Sequence, residues 1–215
     1  MTSDTPLSPA ALKRWLLEEL CPYWRARIVD PAGGFFEGLD AQGRALKTPA
    51  RTLLNQARST FTFSLASLLG GDARIRVAAD HGFAFLKHLA RPDEPGMAWP
   101  RSMDAQGRML NPSLDAYESS FVMLAMAWYH RATGLAEALH LGEQAYECLQ
   151  HRLGDTEHGG FFEEHPSLPN CRAAKTRTCT CSRARWPCTA PPRRPSGWSA
   201  PRVWSTCSSA PSSTQ

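Results

Sequence analysis

The sequence of 215 residues contains no apolar run of the length that a membrane-spanning helix needs, and the segment from Met1 to Lys13 lacks the apolar stretch of a secretory signal. The first absence excludes a membrane-spanning helix, and the second disfavours secretion. We therefore expect a cytoplasmic protein that has no contact with a membrane. Its length suits one or two domains.

Further absences divide the chain into two parts. Residues 171–215 contain no Asp, Glu, Leu, Ile, Phe or Met, yet they hold five of the seven Cys and eight of the 24 basic residues. Residues 1–170 therefore carry 16 basic and 20 acidic residues, a formal charge of −4. A mildly acidic body disfavours nucleic acid as a partner. Its two cysteines, Cys21 and Cys148, also disfavour a disulfide framework.

Two short motifs recur within residues 1–170. GGFFE occurs at residues 33–37 and again at 159–163, and DAQGR occurs at 40–44 and again at 104–108. Both spacings fit one repeat period of roughly 63 positions, taken twice for the first motif and once for the second. The sequence Asp-x-x-Gly between short apolar runs is typical of a turn, because Gly adopts positive φ at little cost. The pattern therefore predicts a repeated structural unit with a small hairpin.

The segments between these turns have helical spacing of apolar residues and helix-terminal signals such as Ser8-Pro9 and Gly70-Gly71. We predict helices over residues 8–29, 48–69, 73–90, 113–133 and 135–153. An all-α body built from helix pairs stacks either as an open solenoid or as a closed α/α toroid. The period is longer than that of most solenoid repeats and favours the toroid.

Four motifs in sequence order resemble the N-acylglucosamine 2-epimerase family, which includes cellobiose 2-epimerases and mannose isomerases. They are GGFFEGLDxxGR, LxNQAR, DHGFxFL and YESSF, at residues 33–44, 53–58, 80–86 and 117–121. The resemblance covers roughly residues 8–170. It implies an (α/α)6 barrel of six helix pairs around a sugar pocket, of which residues 1–170 supply about the first five helices with small rim hairpins.

The resemblance also implies a reaction. Family members move the proton at C2 of an open-chain aldose or N-acylhexosamine through an enediolate, as 2-epimerases or as aldose–ketose isomerases. A histidine with a near-neutral pKa serves as the base, and a fixed positive group stabilises the developing oxyanion. This chemistry needs no cofactor or metal, so the expected partner is a small-molecule sugar. The resemblance leaves open a homodimer for a full-length form.

By resemblance, Arg58 and Tyr117 are the candidate substrate-binding residues, and Phe35 and Trp99 are candidates for the pocket rim, where their rings would stack on a sugar. Each has an alternative. Arg58 could pair with a carboxylate or extend into solvent. Tyr117 could be a core aromatic residue, and Phe35 and Trp99 could pack the hairpins onto the helices.

No catalytic histidine is assigned. The seven histidines are scattered and show no zinc-ligand spacing. The family motif NPHxHxxE should follow Pro169, where residues 171–215 stand instead. Read from the third base of each codon, Cys171 to Pro191 permits PRRQNPHLHMLEGALALHRAT, which contains that motif. Pro192 to Pro211 permits APAERVERAAGLVDLFERAF, an amphipathic helix.

We therefore interpret residues 171–215 as an out-of-frame, unstructured tail. A single-nucleotide insertion or deletion, or an error in the determined sequence, would lie around residues 167–171. The chain is then an inactive half-barrel. A natural Pro/Ser/Arg-rich disordered tail is the alternative.

Two other functions stay open at this point. One is another α/α-toroid enzyme, such as a glycoside hydrolase, which would need two carboxylates at the pocket; Asp80, Asp115 and Glu118 are available. The other is a non-catalytic binding protein that uses half of the fold.

Overall fold

The computed structural model describes residues 8–90 and 99–165. The predictions for residues 171–215 lie outside the described residues. The helices are α1 (Pro9–Trp15), α2 (Cys21–Ile28), α3 (Leu53–Leu68), α4 (Ala73–Leu89), α5 (Ala116–Thr133) and α6 (Ala136–Leu153), with a π-helical turn at Leu16–Leu20 joining α1 to α2. The strands are β1 (Arg51–Thr52), β2 (Ser102–Met103), β3 (Met109–Asn111), β4 (Leu114–Asp115) and β5 (Glu164–His165).

The five predicted helical segments are present, but two of them begin later than predicted. The second begins at Leu53 because the residues before it form β1, which pairs with β2, and the Thr52 side chain caps the helix. The fourth begins at Ala116 because β4 pairs with β5 and Asp115 caps the helix. In both cases a short strand and an N-cap residue replace the helical turn that the apolar spacing predicted.

The helices form two layers. α3 packs against α5 on one side and against α4 behind it, and α5 packs in the same way against α6. α2 contacts α4. We call α3 and α5 the inner layer, and α2, α4 and α6 the outer layer. The core lies between the layers, and its largest fully buried side chains include Phe35, Phe63, Leu86, Met103 and Met126.

The two DAQGR turns adopt the same hydrogen-bonded structure. In the first, the Asp40 N–H donates to the Arg44 carbonyl oxygen at 2.8 Å, and Asp40 Oδ1 accepts from the N–H of Arg44 at 2.9 Å. In the second, Asp104 and Arg108 make the same two bonds at 2.9 Å each. The predicted turn chemistry is confirmed at both copies, with Gly43 and Gly107 at positive φ.

We expect the first of these turns, together with the hairpin turn that begins at Asp155, to make the fold sensitive to acid. The Arg44 N–H, with its guanidinium, holds the pKa of Asp40 below its usual value, and the His158 N–H does the same for the pKa of Asp155. Because each folded-state pKa is depressed, the stabilisation is complete above the unfolded value of about 3.9 and is lost as the pH falls through the folded value. Urea unfolding between about pH 3 and pH 6 would measure this loss.

The variant Asp40→Asn serves as the control for that measurement, since its side chain does not titrate. We expect it to lose less stability on acidification than the parent chain does. An equal loss of unfolding free energy on acidification in the two proteins would contradict the assignment to Asp40.

No helix in the part of the chain that the structure describes is long and apolar enough to cross a membrane.

Candidate functional site

Arg58 and Tyr117, which lie far apart in sequence, meet on the inner layer. Arg58 Nη2 donates a hydrogen bond to the Tyr117 hydroxyl oxygen at 2.6 Å. Arg58 is exposed, and Tyr117 is 40% exposed. The structure thus joins the two residues that the family resemblance proposed for sugar binding, on a face of α3 and α5 that the outer layer does not cover.

The starts of the two inner helices bring these residues together. The Leu53 N–H at the start of α3 donates to the Arg101 carbonyl oxygen at 3.0 Å. The Arg101 guanidinium Nε lies 3.3 Å from Glu118 Oε1 in the first turn of α5. Arg101 therefore contacts the N-terminal ends of both α3 and α5. Arg58 and Tyr117, each within the first two turns of its helix, lie at the same end of the layer.

Aromatic rings fix the position of the guanidinium. The Arg58 Cζ atom lies 4.5 Å from the centroid of the Phe121 ring and 5.7 Å from that of Tyr117. The two rings meet edge to face at 5.2 Å. A cation over aromatic faces is stabilised by the ring quadrupole. Among the described residues, Arg58 contacts a phenol and two aromatic rings and pairs with no carboxylate, in contrast to one of the alternatives.

This arrangement suits a neutral or anionic oxygen ligand. A guanidinium has five N–H donors in a planar fork, and the bond to Tyr117 uses one of them. The Tyr117 oxygen accepts that bond, which leaves its own O–H as a donor. The phenol of Tyr117 is neutral and does not offset the positive charge of Arg58. That charge is therefore available to a ligand on the exposed face.

The structure corrects the interpretation of Phe35 and Trp99 as rim residues. Phe35 is 0% exposed, and its ring packs 5.6 Å from that of Phe63. Trp99 is 4% exposed, and its indole Nε1 donates to the Leu86 carbonyl oxygen at 2.7 Å. Both rings pack their hairpins onto the helices, because the free energy is lower when an aromatic ring is buried than when it is exposed to water. Neither presents a face to a sugar.

Two of the described histidines, His81 and His130, make contacts that indicate structural roles. His81 Nε2 lies 2.8 Å from the Gly34 carbonyl oxygen, which fits a structural role for the DHG motif. α3 contains no histidine, and the one in α5, His130, lies in the last turn with its Nδ1 3.0 Å from the Leu135 carbonyl oxygen. Within residues 8–90 and 99–163, no group of three His, Cys, Asp or Glu side chains could hold a metal ion.

The three carboxylates considered for a glycoside hydrolase also have structural partners. Asp80 Oδ1 accepts from Arg76 Nε and from the Tyr129 hydroxyl, each at 2.8 Å. Burial, together with this bond to Asp80, raises the pKa of Tyr129 to about 12. Asp115 caps α5 through the N–H of Glu118, at 2.9 Å. These contacts give the carboxylates structural roles, and they do not form the catalytic pair that a glycoside hydrolase needs.

The sequence interpretation missed two parts of the site. Phe121 received no role beyond the YESSF motif, although it forms the nearer ring against Arg58. Its spacing of four positions from Tyr117 placed both on one helix face and was the available signal. The link between Arg101 and Glu118 had no signal in sequence, because Arg101 lies in a loop between the two inner helices.

Several known proteins are similar to this chain in sequence. A model of the family described as N-acylglucosamine 2-epimerase matches residues 34–178. Mannose-6-phosphate isomerase from Rhizobium meliloti is 30% identical over 174 residues, which cover 79% of this chain and 44% of that protein. D-mannose isomerase from Marinomonas mediterranea is 29% identical over 150 residues, which cover 69% of this chain and 36% of that protein.

The fold comparison gives the same result. The solved structure of cellobiose 2-epimerase from Spirochaeta thermophila is 28% identical, with a TM-score of 0.66, over 75% of this chain and 41% of that one. The likeness confirms the predicted all-α fold of the α/α-barrel type. The chain spans about two fifths of the length of these relatives.

Proposed function

The chain belongs to the N-acylglucosamine 2-epimerase family, and on that premise we propose that it is the N-terminal part of a sugar 2-epimerase or aldose–ketose isomerase. The substrate is an open-chain aldose or N-acylhexosamine whose C2 proton is moved through an enediolate. The observation that carries the proposal is the Arg58–Tyr117 pair on the open face of the inner layer.

Arg58 is the electrostatic element of this mechanism. Removing the proton at C2 of an aldehyde shifts negative charge to the carbonyl oxygen. A fixed guanidinium near that oxygen lowers the barrier, because it already carries its charge and needs no reorganisation during the reaction. Phe121 and Tyr117 hold the guanidinium in place before substrate arrives, which is the preorganisation that such stabilisation requires.

Tyr117 has a binding role. Its oxygen accepts from Arg58, so its hydroxyl proton points away from that bond and can be donated to a sugar oxygen. Its exposed ring, with that of Phe121, offers an apolar surface to the C–H face of a sugar. The pair therefore orients the substrate at the carbonyl end.

The base is the missing part of the mechanism. In the part of the chain that the structure describes, no histidine contacts Arg58 or Tyr117. An enediolate mechanism needs a group that can accept and return a proton near neutral pH. We therefore propose that the chain as it stands binds a sugar weakly and does not turn it over.

We expect D-mannose and cellobiose at millimolar concentrations to shift the amide NMR signals in the first two turns of α3 and α5. Arg58→Gln should weaken this binding about tenfold, a loss of about 1.4 kcal/mol, because it removes the fixed charge and its forked donors. Turnover of the same sugars, followed by chromatography, should stay at the background rate.

Arg131→Gln is the matched control, since Arg131 is also exposed on the inner layer and lies 4.4 Å above the Trp128 ring. We expect it to bind sugar like the parent chain. Equal losses in both variants, or no shift with either sugar, would contradict the assignment of the site to Arg58. Turnover above background would contradict the absence of a base.

A further inference from the structure

The outer edge formed by α6 and the hairpin that follows it is incompletely covered. We define the α6 edge by three residues: Tyr146 on α6, and Phe161 and Phe162 in the hairpin. The rings of Tyr146 and Phe161 lie 6.4 Å apart, and Tyr146 and Phe162 are 39% and 40% exposed. The chain continues from this hairpin into β5, which pairs with β4.

The internal repeat provides a comparison, because other helices cover the hairpin that contains its first GGFFE motif. Phe35 in the first GGFFE motif corresponds to Phe161 in the second, and corresponding backbone bonds close the two hairpins, although the second turn is one residue longer. The Asp30 N–H donates to the Gly34 carbonyl oxygen at 3.1 Å, and the Asp155 N–H donates to that of Gly160 at 3.0 Å. Yet Phe35 is fully buried, whereas Phe161 is only half-buried.

The difference comes from the helix pair that follows the first motif. Gln56 on α3 bonds the N–H of Phe35 at 2.7 Å and its carbonyl oxygen at 2.9 Å. The His81 ring on α4 covers Phe35 from the other helix, with the ring centroids 5.9 Å apart. A corresponding helix pair after the second motif would begin beyond residue 165, as far from Phe161 as α3 is from Phe35.

The codons at that distance permit such a pair when they are read one base earlier. Every Cys and Trp codon begins with UG, so in the shifted frame each yields a codon ending in UG, which encodes Leu, Met or Val whatever the first base is. Cys179, Cys181, Trp186 and Cys188 therefore impose four apolar residues. Their spacing repeats after seven positions, which suits one face of a helix.

The shifted frame also removes the difference in amino-acid composition between residues 1–170 and the segment that follows them. In the present frame, residues 171–211 contain no Asp, Glu, Leu, Ile, Phe or Met, and the shifted reading permits Glu, Asp, Leu, Met and Phe in amphipathic order. At the codon spanning residues 182 and 183, two repeat periods after Gln56, it permits Glu. With that codon, the period of the repeat would place a polar hydrogen-bonding side chain where Gln56 stands in the first unit.

We propose that the nucleotides encoding residues 171–211, read one base earlier, encode the helix pair that covers the α6 edge. The occupant of the edge is thus the continuation of the same polypeptide after a one-base displacement near residue 170. This proposal rests on the proposed function and deepens it, because the permitted segment NPHLHMLE brings two histidines to the start of the next helix. It would supply the base that Arg58 lacks.

The first test is the nucleotide sequence across codons 166–215, read directly from the source DNA. We expect a shifted frame without stop codons, with third bases that give Asn-Pro-His and the imposed apolar positions in helical order. A stop codon within that frame, such as UAA across residues 174 and 175, would overturn the proposal. So would third bases that break the pattern. This test does not depend on whether any protein folds.

The second test compares the present chain with the product of a gene in which one base is inserted before the Cys171 codon. Phe161→Ala should lower the thermal midpoint of the present chain by less than about 3 °C, because the side chain is only half-buried there. It should lower that of the frame-shifted product by about 6 °C or more, because there the ring is buried. Val77→Ala, at a residue 65% exposed on α4, is the matched control.

We expect the Val77→Ala shift to be the same small value in both proteins. Equal Phe161→Ala shifts in the two proteins would overturn the proposal. Sugar turnover by the frame-shifted product is recorded separately. A large Phe161→Ala shift without turnover would support the covering helix pair and contradict the proposed function, so the two failures are distinguishable.

Discussion

Arg51→Met should lower the free energy of unfolding by about 3–5 kcal/mol, because it leaves a buried carboxylate without its partner. Arg51 Nη2 donates to Asp30 Oδ2 at 2.6 Å, and both residues are buried. Arg51 also donates to the Thr48 carbonyl oxygen at 2.6 Å, and its guanidinium lies 4.9 Å from the Phe36 ring centroid. The pair joins the loop after α2 to the strand that precedes α3.

Arg44→Met is the matched control for this experiment. Arg44 Nε lies 2.8 Å from Asp40 Oδ2, a distance close to that of the buried pair, but the Arg44 side chain is 75% exposed. Surface ion pairs contribute about 0–1 kcal/mol. Urea unfolding followed by circular dichroism would give both values. A loss below about 1 kcal/mol for Arg51→Met would show that Asp30 finds water or another donor.

The Asp30–Arg51 pair marks a limit of prediction from sequence. Asp30 follows the first predicted helix, and Arg51, 21 positions later, lies in a strand that was predicted as the start of the second helix. Sequence spacing predicts contacts within a helix or across a tight turn, where geometry is local. It does not predict which loops a tertiary fold brings together. The charges of the two residues therefore gave no indication that they would be buried as a pair.

Local signals predicted the parts of the fold that local chemistry determines. The DAQGR turns follow from Asp side chains that accept backbone N–H groups and from Gly at positive φ. The helix ends at Gly70-Gly71 and Gly134 follow from the same property of glycine. The starts of α3 and α5 were missed because short strands precede them, and each of these strands pairs with a strand from a distant part of the chain.

The Arg58–Tyr117 contact was within reach of sequence only through family resemblance. Periodicity placed each residue on a helix face. The crossing of α3 and α5 that brings them to 2.6 Å depends on packing throughout the layer. Phe35 and Trp99 illustrate the opposite error. Their hairpin positions suggested exposure, yet large rings next to an apolar layer are stabilised more by burial.

Gln56→Met should lower the free energy of unfolding by about 2–5 kcal/mol, because it leaves two backbone groups of Phe35 unbonded inside the core. Gln56 is 0% exposed. Its Oε1 accepts from the Phe35 N–H at 2.7 Å, and its Nε2 donates to the Phe35 carbonyl oxygen at 2.9 Å. Methionine fills a similar volume without either bond, so the cost reports the missing hydrogen bonds and not a cavity.

Gln150→Met is the matched control, since the Gln150 amide is exposed and donates to the Tyr146 hydroxyl at 2.7 Å. Water can replace that partner, so we expect a change within about 0.5 kcal/mol. Similar losses in the two variants would mean that the amide of Gln56 is not what fixes the hairpin. A large loss for Gln56 alone would confirm the bond on which the repeat argument depends. The hairpin would then be held by a side chain from the helix that follows it, which is the contact that the second GGFFE motif lacks within the described residues.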